Sequence, residues 1–223
     1  MMTTIDSKII NFLIQINMKN FKITAFALIC IIMTACSVPS ELDRTIFIPD
    51  ENDYNLPAYT EWGYNAFGAM IERNYFLASQ SIIPCKILYK NGTLLMEISG
   101  VIKSANYYSD YSEMTLSFNF PSEVYKNYDD LLALHKRTID LTANDCVVKM
   151  KYNGYGAQTL QVVRGELNFL RAQLISIEDT PNRVILSGTF YVQYLEDGVD
   201  FPKTIKDGRF DFGITNEFFY SMP

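Results

Sequence analysis

The sequence predicts an all-β protein, a single antiparallel β-sandwich with one short amphipathic helix, and three observations carry that expectation. First, apolar residues recur at every second position. Met114, Leu116, Phe118 and Phe120 are interleaved with Thr115, Ser117 and Asn119, and Cys146, Val148, Met150 and Tyr152 with Lys149 and Lys151. That period belongs to strands with one buried and one wet face. Second, turn-forming pairs stand between such runs, foremost Asn91-Gly92, the strongest short hairpin signal. Third, only one segment shifts to a helical period. The strands are long and meander mostly between sequence neighbours, so a closed lipocalin-like β-barrel is the architectural alternative.

The chain opens with material that precedes this fold. Lys19 and Lys22 are followed by an apolar run from Ile23 to Met33, and then by Thr34-Ala35-Cys36. A basic stretch, an apolar core and small residues before a cut make a secretory signal, so residues 1–35 are set apart, with Met18 as a second plausible start. The run is too short for a spanning helix, which needs about 20 residues. Met33-Thr34-Ala35-Cys36 resembles the lipobox of bacterial lipoproteins, with Met33 where leucine is usual. The resemblance implies that the Cys36 thiol is diacylated, the leader removed and the chain held on a membrane by its lipid. Val38, not Asp, stands two residues after the cysteine, which implies an outer-membrane destination. The alternative is an ordinary secretory leader with an incidental cysteine.

Residues 36–57 hold Pro39, Pro49 and the polar cluster Asp50-Glu51-Asn52-Asp53 without sustained periodicity, and read as a lipidated tether. The cluster lacks the glycine and distal glutamate of a calcium loop, and reads as a solvated turn. The β domain is then residues 58–223. After Asn91-Gly92, residues Leu94, Met96, Ile98 and Ile102 form one strand face. Ser122 is placed to cap a helix over 123–135, where Val124, Tyr128, Leu131 and His135 share a face and cover an end or edge of the sheet. Thr138 to Asn144 suits a short strand or a loop. Asn153-Gly154, Asp179-Thr180-Pro181-Asn182, Glu196-Asp197-Gly198 and Asp207-Gly208 punctuate the remainder, and roughly ten strands result. From Leu167 to Ile177 apolar residues fall on both parities, which predicts a bulge or burial on both faces.

Three strand motifs follow one another toward the C-terminus: Val163-Arg164-Gly165-Glu166-Leu167, Ile185-Leu186-Ser187-Gly188-Thr189-Phe190 and Lys206-Asp207-Gly208-Arg209-Phe210-Asp211. Their order is similar to the C-terminal half of uncharacterised β-rich lipoproteins of Bacteroidota, in which a Gly-Thr-Phe strand leads to an Asp-Gly-x-Phe strand. The stretch Phe67 to Phe76 resembles their first hairpin, with Arg73-Asn74 in place of a turn glycine. The resemblance bears on fold and carries over no catalytic residue.

Composition narrows the function. A formal net charge of −6 leaves no electrostatic footprint for nucleic acid and no basic patch for anionic lipid, so membrane attachment falls to the acyl chains. Of the four cysteines, Cys30 lies in the leader and Cys36 is the anchor. Cys85 and Cys146 remain, as a disulfide of an oxidising compartment or as two buried free thiols. No Cys/His grouping points to a metal, and no phosphate-cradling loop points to a cofactor. His135 is the only histidine; at the end of the expected helix it reads as a cation facing the last carbonyls rather than as a catalytic base. The adjacent carboxylates Asp129/Asp130, Glu178/Asp179 and Glu196/Asp197 read as solvated turn residues.

Aromatic residues supply the remaining recognition chemistry. Tyr107, Tyr108 and Tyr111, clustered in a polar loop, are the candidate ligand contacts. Trp62 and Tyr64 share a parity and read as core. The expected function is a non-enzymatic binding or interaction module, membrane-anchored at the cell envelope, with a glycan or protein partner. Its alternatives are a carrier of a small apolar ligand in a barrel cavity and a carboxylate-based glycoside hydrolase.

Overall fold

The computed structural model describes residues 44–80, 82–104, 111–123, 125–177, 180–196 and 199–222. The chain divides into Met1–Glu41 and Leu42–Pro223, and the described residues all belong to the second unit. Cys36 and the leader lie outside them.

Alternation along the chain becomes eleven strands: β1 (Ala66–Ile71), β2 (Asn74–Leu77), β3 (Cys85–Lys90), β4 (Thr93–Ser104), β5 (Tyr111–Pro121), β6 (Arg137–Asp140), β7 (Val147–Tyr152), β8 (Gln158–Ile177), β9 (Thr180–Leu195), β10 (Lys203–Ile214) and β11 (Phe219–Met222). Asn91 and Gly92 both adopt positive φ and join β3 to β4 with Lys90 opposite Thr93, the hairpin that their sequence predicts.

The sheet is not a sandwich. Each wall strand pairs antiparallel with its neighbour, and β1 pairs with β10, Phe67 opposite Phe210. The circuit β1-β2-β4-β5-β7-β8-β9-β10 therefore closes into an eight-stranded barrel. The three other strands extend this wall. β3 takes the part of the β4 edge that β2 leaves free, β11 runs parallel to β3, and β6 pairs with β8 beyond β7. Period-two patterning is common to both architectures. What separates them is a first-to-last pairing, which no local pattern reports.

Closure demands strong coiling, and the sequence supplies it with bulges and bare backbone. The ladder between β8 and β9 shifts register at Val162/Arg164, Phe169/Arg171 and Ile175/Ser176, so the mixed parity after Leu167 is a bulge. Asp207-Gly208, expected as a turn, lies inside β10, where the ladder shifts between Ile205 and Gly208 and Asp207 has φ 54°. A Cβ on Gly188 would stand 1.9 Å from the Asn168 carbonyl oxygen and 2.7 Å from the Phe210 ring. Only glycine lets β9 approach that closely, and the ring covers the gap.

The lumen is packed with aromatic rings. Phe118 on β5 and Phe190 on β9 are 5.4 Å apart between centroids, although β7 and β8 separate these strands in the wall, so the contact crosses the barrel. Phe120, Phe169, Phe210, Phe212 and Phe67 form a second chain of rings. Truncating such a side chain costs about 3–5 kcal/mol. The helix expected over 123–135 is instead a 3-10 helix at Tyr128–Leu134. Its buried residues Tyr128, Leu131 and Leu134 repeat every third position, the 3-10 period, and it packs on β8 and β9 as a plug at one end of the barrel. Ser122 does not cap it; the Asp130 carboxylate accepts from the backbone N–H groups of Lys126 and Asn127 instead. Val124 lies outside the described residues.

The stretch read as a tether joins the fold from Arg44 onward. Leu56 is buried, Pro49 bridges Pro57, and Arg209 donates to Asp50 at 2.5 Å. Residues 44–65 thus form an arm across the outside of the barrel. Among the described residues no helix is long and apolar enough to cross a membrane.

Candidate functional site

The arm is fixed by one carboxylate. Asp211 lies on β10 and is 2% exposed. It accepts from the Thr60 hydroxyl at 2.6 Å and from the backbone N–H groups of Trp62 at 3.0 Å, Gly63 at 2.7 Å and Tyr64 at 3.3 Å. Gly63 (φ 74°) takes the left-handed conformation within this run of amides, and Asn65 (φ 53°) takes it just after them. The Asn65 side chain adds a bond from the Gly213 N–H at 3.0 Å.

Turned by that anchor, the arm forms one wall of an outer cleft of about 400 Å³, lined by Tyr59, Thr60, Glu61, Trp62, Arg171, Gln173, Ile175 and Ile185. Trp62, expected in the core, is 68% exposed here. Arg171 donates to Glu61 at 2.6 Å through Nη1 and to the Gln173 side-chain oxygen through Nε and Nη2, so its guanidinium is held from two sides. The Tyr59 hydroxyl donates to Glu61 at 2.9 Å. Bonding from Arg171 and then from Tyr59 holds the Glu61 carboxyl below its ordinary value, while burial pushes the Tyr59 phenol up to about 12, with the Glu61 charge adding to it. Glu61, Arg171 and Gln173 also line a depression of about 460 Å³ beside His135 and Lys136. Tyr59 borders a third, of about 720 Å³, that runs over the outer faces of β8, β9 and β10 past Asn168, Thr189 and Tyr191.

A second region is the barrel end opposite the 3-10 helix. Tyr152 and Tyr194 approach it from inside, and burial raises both phenols above the ordinary value. At the rim Lys203 bonds Glu196 at 2.6 Å. Just within, Met114 and Met150 are 2% and 3% exposed.

The residues that the sequence nominated fall differently. Tyr107 and Tyr108 lie outside the described residues, in the connection between β4 and β5, and Tyr111 opens β5 opposite Lys103. Cys85 and Cys146 are both free thiols. Cys85 begins β3 and Cys146 precedes β7, with β4 and β5 between them. Three strand spacings are about 14 Å, well beyond the roughly 7 Å that a disulfide spans between Cα atoms. His135 does not face the last carbonyls of the helix through Nδ1: that nitrogen meets the Ala172 N–H at 3.2 Å, on the β8 edge that β6 leaves at Phe169. Among the described residues no group of three or more acidic, histidine or cysteine side chains is placed to hold a metal.

Reasoning from sequence missed the Trp62 cleft because parity was read through residues 62–64 as through a strand. Gly63 followed at once by Tyr64-Asn65 was the available signal of a loop.

The fold and its sites thus define a meandering, closed eight-stranded antiparallel β-barrel with an external arm. Compared with protein-family models, curated proteins and solved structures, the chain matches none.

Proposed function

We propose that the chain is a non-enzymatic, small-ligand-binding β-barrel of the cell envelope, held on the outer membrane through lipidated Cys36. Closure of the wall is the observation that supports the ligand-binding barrel; the anchor is supported by the lipobox resemblance of Met33-Thr34-Ala35-Cys36. Eight strands give an interior just wide enough to be filled by side chains or to hold one small ligand, and lining by Leu116, Val148, Leu167 and Val192 suits an apolar occupant. A surface module has no need of a closed wall, so the closed barrel favours the carrier reading. With the rings filling the centre, the ligand takes its place by displacing side chains at the Tyr152–Tyr194 end, where the flexible thioethers of Met114 and Met150 yield most readily.

The test is titration of the purified protein with the apolar dye N-phenyl-1-naphthylamine, followed by competition with a long-chain fatty acid. Saturable uptake of one dye per chain, reversed by the fatty acid, is expected; no uptake contradicts the carrier. For the anchor, Cys36→Ser should abolish membrane fractionation and leave the leader uncut, and unchanged fractionation contradicts it. A second reading, a module that binds a partner on its outer face, is favoured by the open Trp62 cleft.

A further inference from the structure

We infer that the Trp62 cleft is a binding site for an uncharged saccharide, which rests on the outer-face reading and names its ligand class. Three features converge on that chemistry. Trp62 is 68% exposed and lines the cleft, while its backbone is fixed by the bond to Asp211, so the segment that carries the ring need not be ordered when a ligand stacks on it. Next to it the two charges of the cleft cancel: Arg171 and Glu61 are 2.6 Å apart. A cleft neutralised in this way gives no net attraction to a phosphate, a carboxylate or an ammonium group, and favours a neutral ligand that is rich in hydroxyls.

The remaining polar groups suit hydroxyls. Gln173 accepts from Arg171 through its side-chain oxygen, which orients its amide NH2 away from that bond as a donor. Glu61 keeps acceptor capacity beyond its bonds to Arg171 and Tyr59. A pyranose has an apolar C–H face for the indole and a hydroxyl rim for these groups. The cleft holds about 400 Å³, room for one or two sugar rings, and Tyr59 connects it to the longer depression with Asn168, Thr189 and Tyr191. An oligosaccharide chain rather than a single sugar therefore fits the whole face.

Trp62 is the only tryptophan in the chain, so its fluorescence reports this site alone. The full-length protein is titrated with neutral oligosaccharides, namely cellohexaose, xylohexaose, maltohexaose, mannohexaose and chitohexaose, while emission and acrylamide quenching are followed. At least one should shift the emission saturably and shield Trp62 from acrylamide. By calorimetry, Trp62→Ala should lower affinity at least tenfold and Gln173→Ala severalfold, both with unchanged far-UV circular dichroism. If none of these sugars, nor any on a wider neutral-glycan array, shifts or shields Trp62, the saccharide assignment is overturned. If Trp62 is shielded from acrylamide in the free protein, the outer-face reading itself fails. Equal binding by wild type and Trp62→Ala also overturns the assignment.

Discussion

Replacing Asp211 with alanine should release the arm and cost about 3–5 kcal/mol of stability. The magnitude follows from the bonds that converge on it. Four donors reach this carboxylate at 2.6–3.3 Å, and a hydrogen bond to a charged group contributes about 1.5–3 kcal/mol. Simple addition overshoots, because a released arm finds water for its N–H groups. The ceiling is then the docking of the arm itself, which includes burial of Leu56 at 1% exposure and the Asp50–Arg209 bond. Asp211→Asn keeps one oxygen but turns an NH2 toward N–H donors, and should cost about 2 kcal/mol. Thr60→Val removes one of the four bonds and should cost about 1 kcal/mol. Urea unfolding followed by circular dichroism gives these differences, and Trp62 emission in the same samples reports local release. A loss below about 1 kcal/mol for Asp211→Ala, with Trp62 emission unchanged, would refute the role given to Asp211 as the anchor of the cleft.

Two further outcomes follow from the same structure. Glu61 lies below its ordinary value of 4.5 because Arg171 and Tyr59 donate to its ionised form; a depressed folded value means that the contribution of the pair is whole above 4.5 and is lost as pH falls through the lower folded value. Trp62 emission should accordingly stay flat from neutrality down to that pH and change only below it, and a transition centred above it would contradict the pair. Burial pushes the Cys85 thiol up while Cys146 is only half-buried, so iodoacetamide should label Cys146 first and Cys85 only on unfolding; mapped peptides that carry a Cys85–Cys146 bridge would contradict the strand order.

Much of the wall could be read from local chemistry. The Asn91-Gly92 hairpin, the faces of β4, β5 and β7 and the bulge after Leu167 each follow from spacing within a few residues. What escaped was non-local. The β1–β10 ladder joins residues about 140 positions apart and turns an open stack into a barrel. Asp211 acts on the arm across a similar separation, so nothing near Trp62 announces that its loop is pinned outward. The helix was overlong in the reading because Val124 and His135 happen to extend an apolar stripe, whereas the chain uses only the seven residues Tyr128–Leu134. Asp207-Gly208 has the composition of a turn, and the continuing pairing on either side makes it a bulge.

Methionine-methyl NMR tests the central claim, that the barrel takes a small apolar ligand into its lumen, most directly. Met114 and Met150 report from the inner side of the proposed entry and Met96 from deeper, all buried at 3% exposure or less, and Trp62 side-chain signals report from the outer cleft. Titration with a long-chain fatty acid should move the Met114 and Met150 methyl resonances saturably at one equivalent, Met96 with them, and leave the Trp62 indole unmoved. Unchanged lumen methyls at saturating fatty acid would mean that the rings keep the barrel closed to ligands, and would contradict the carrier.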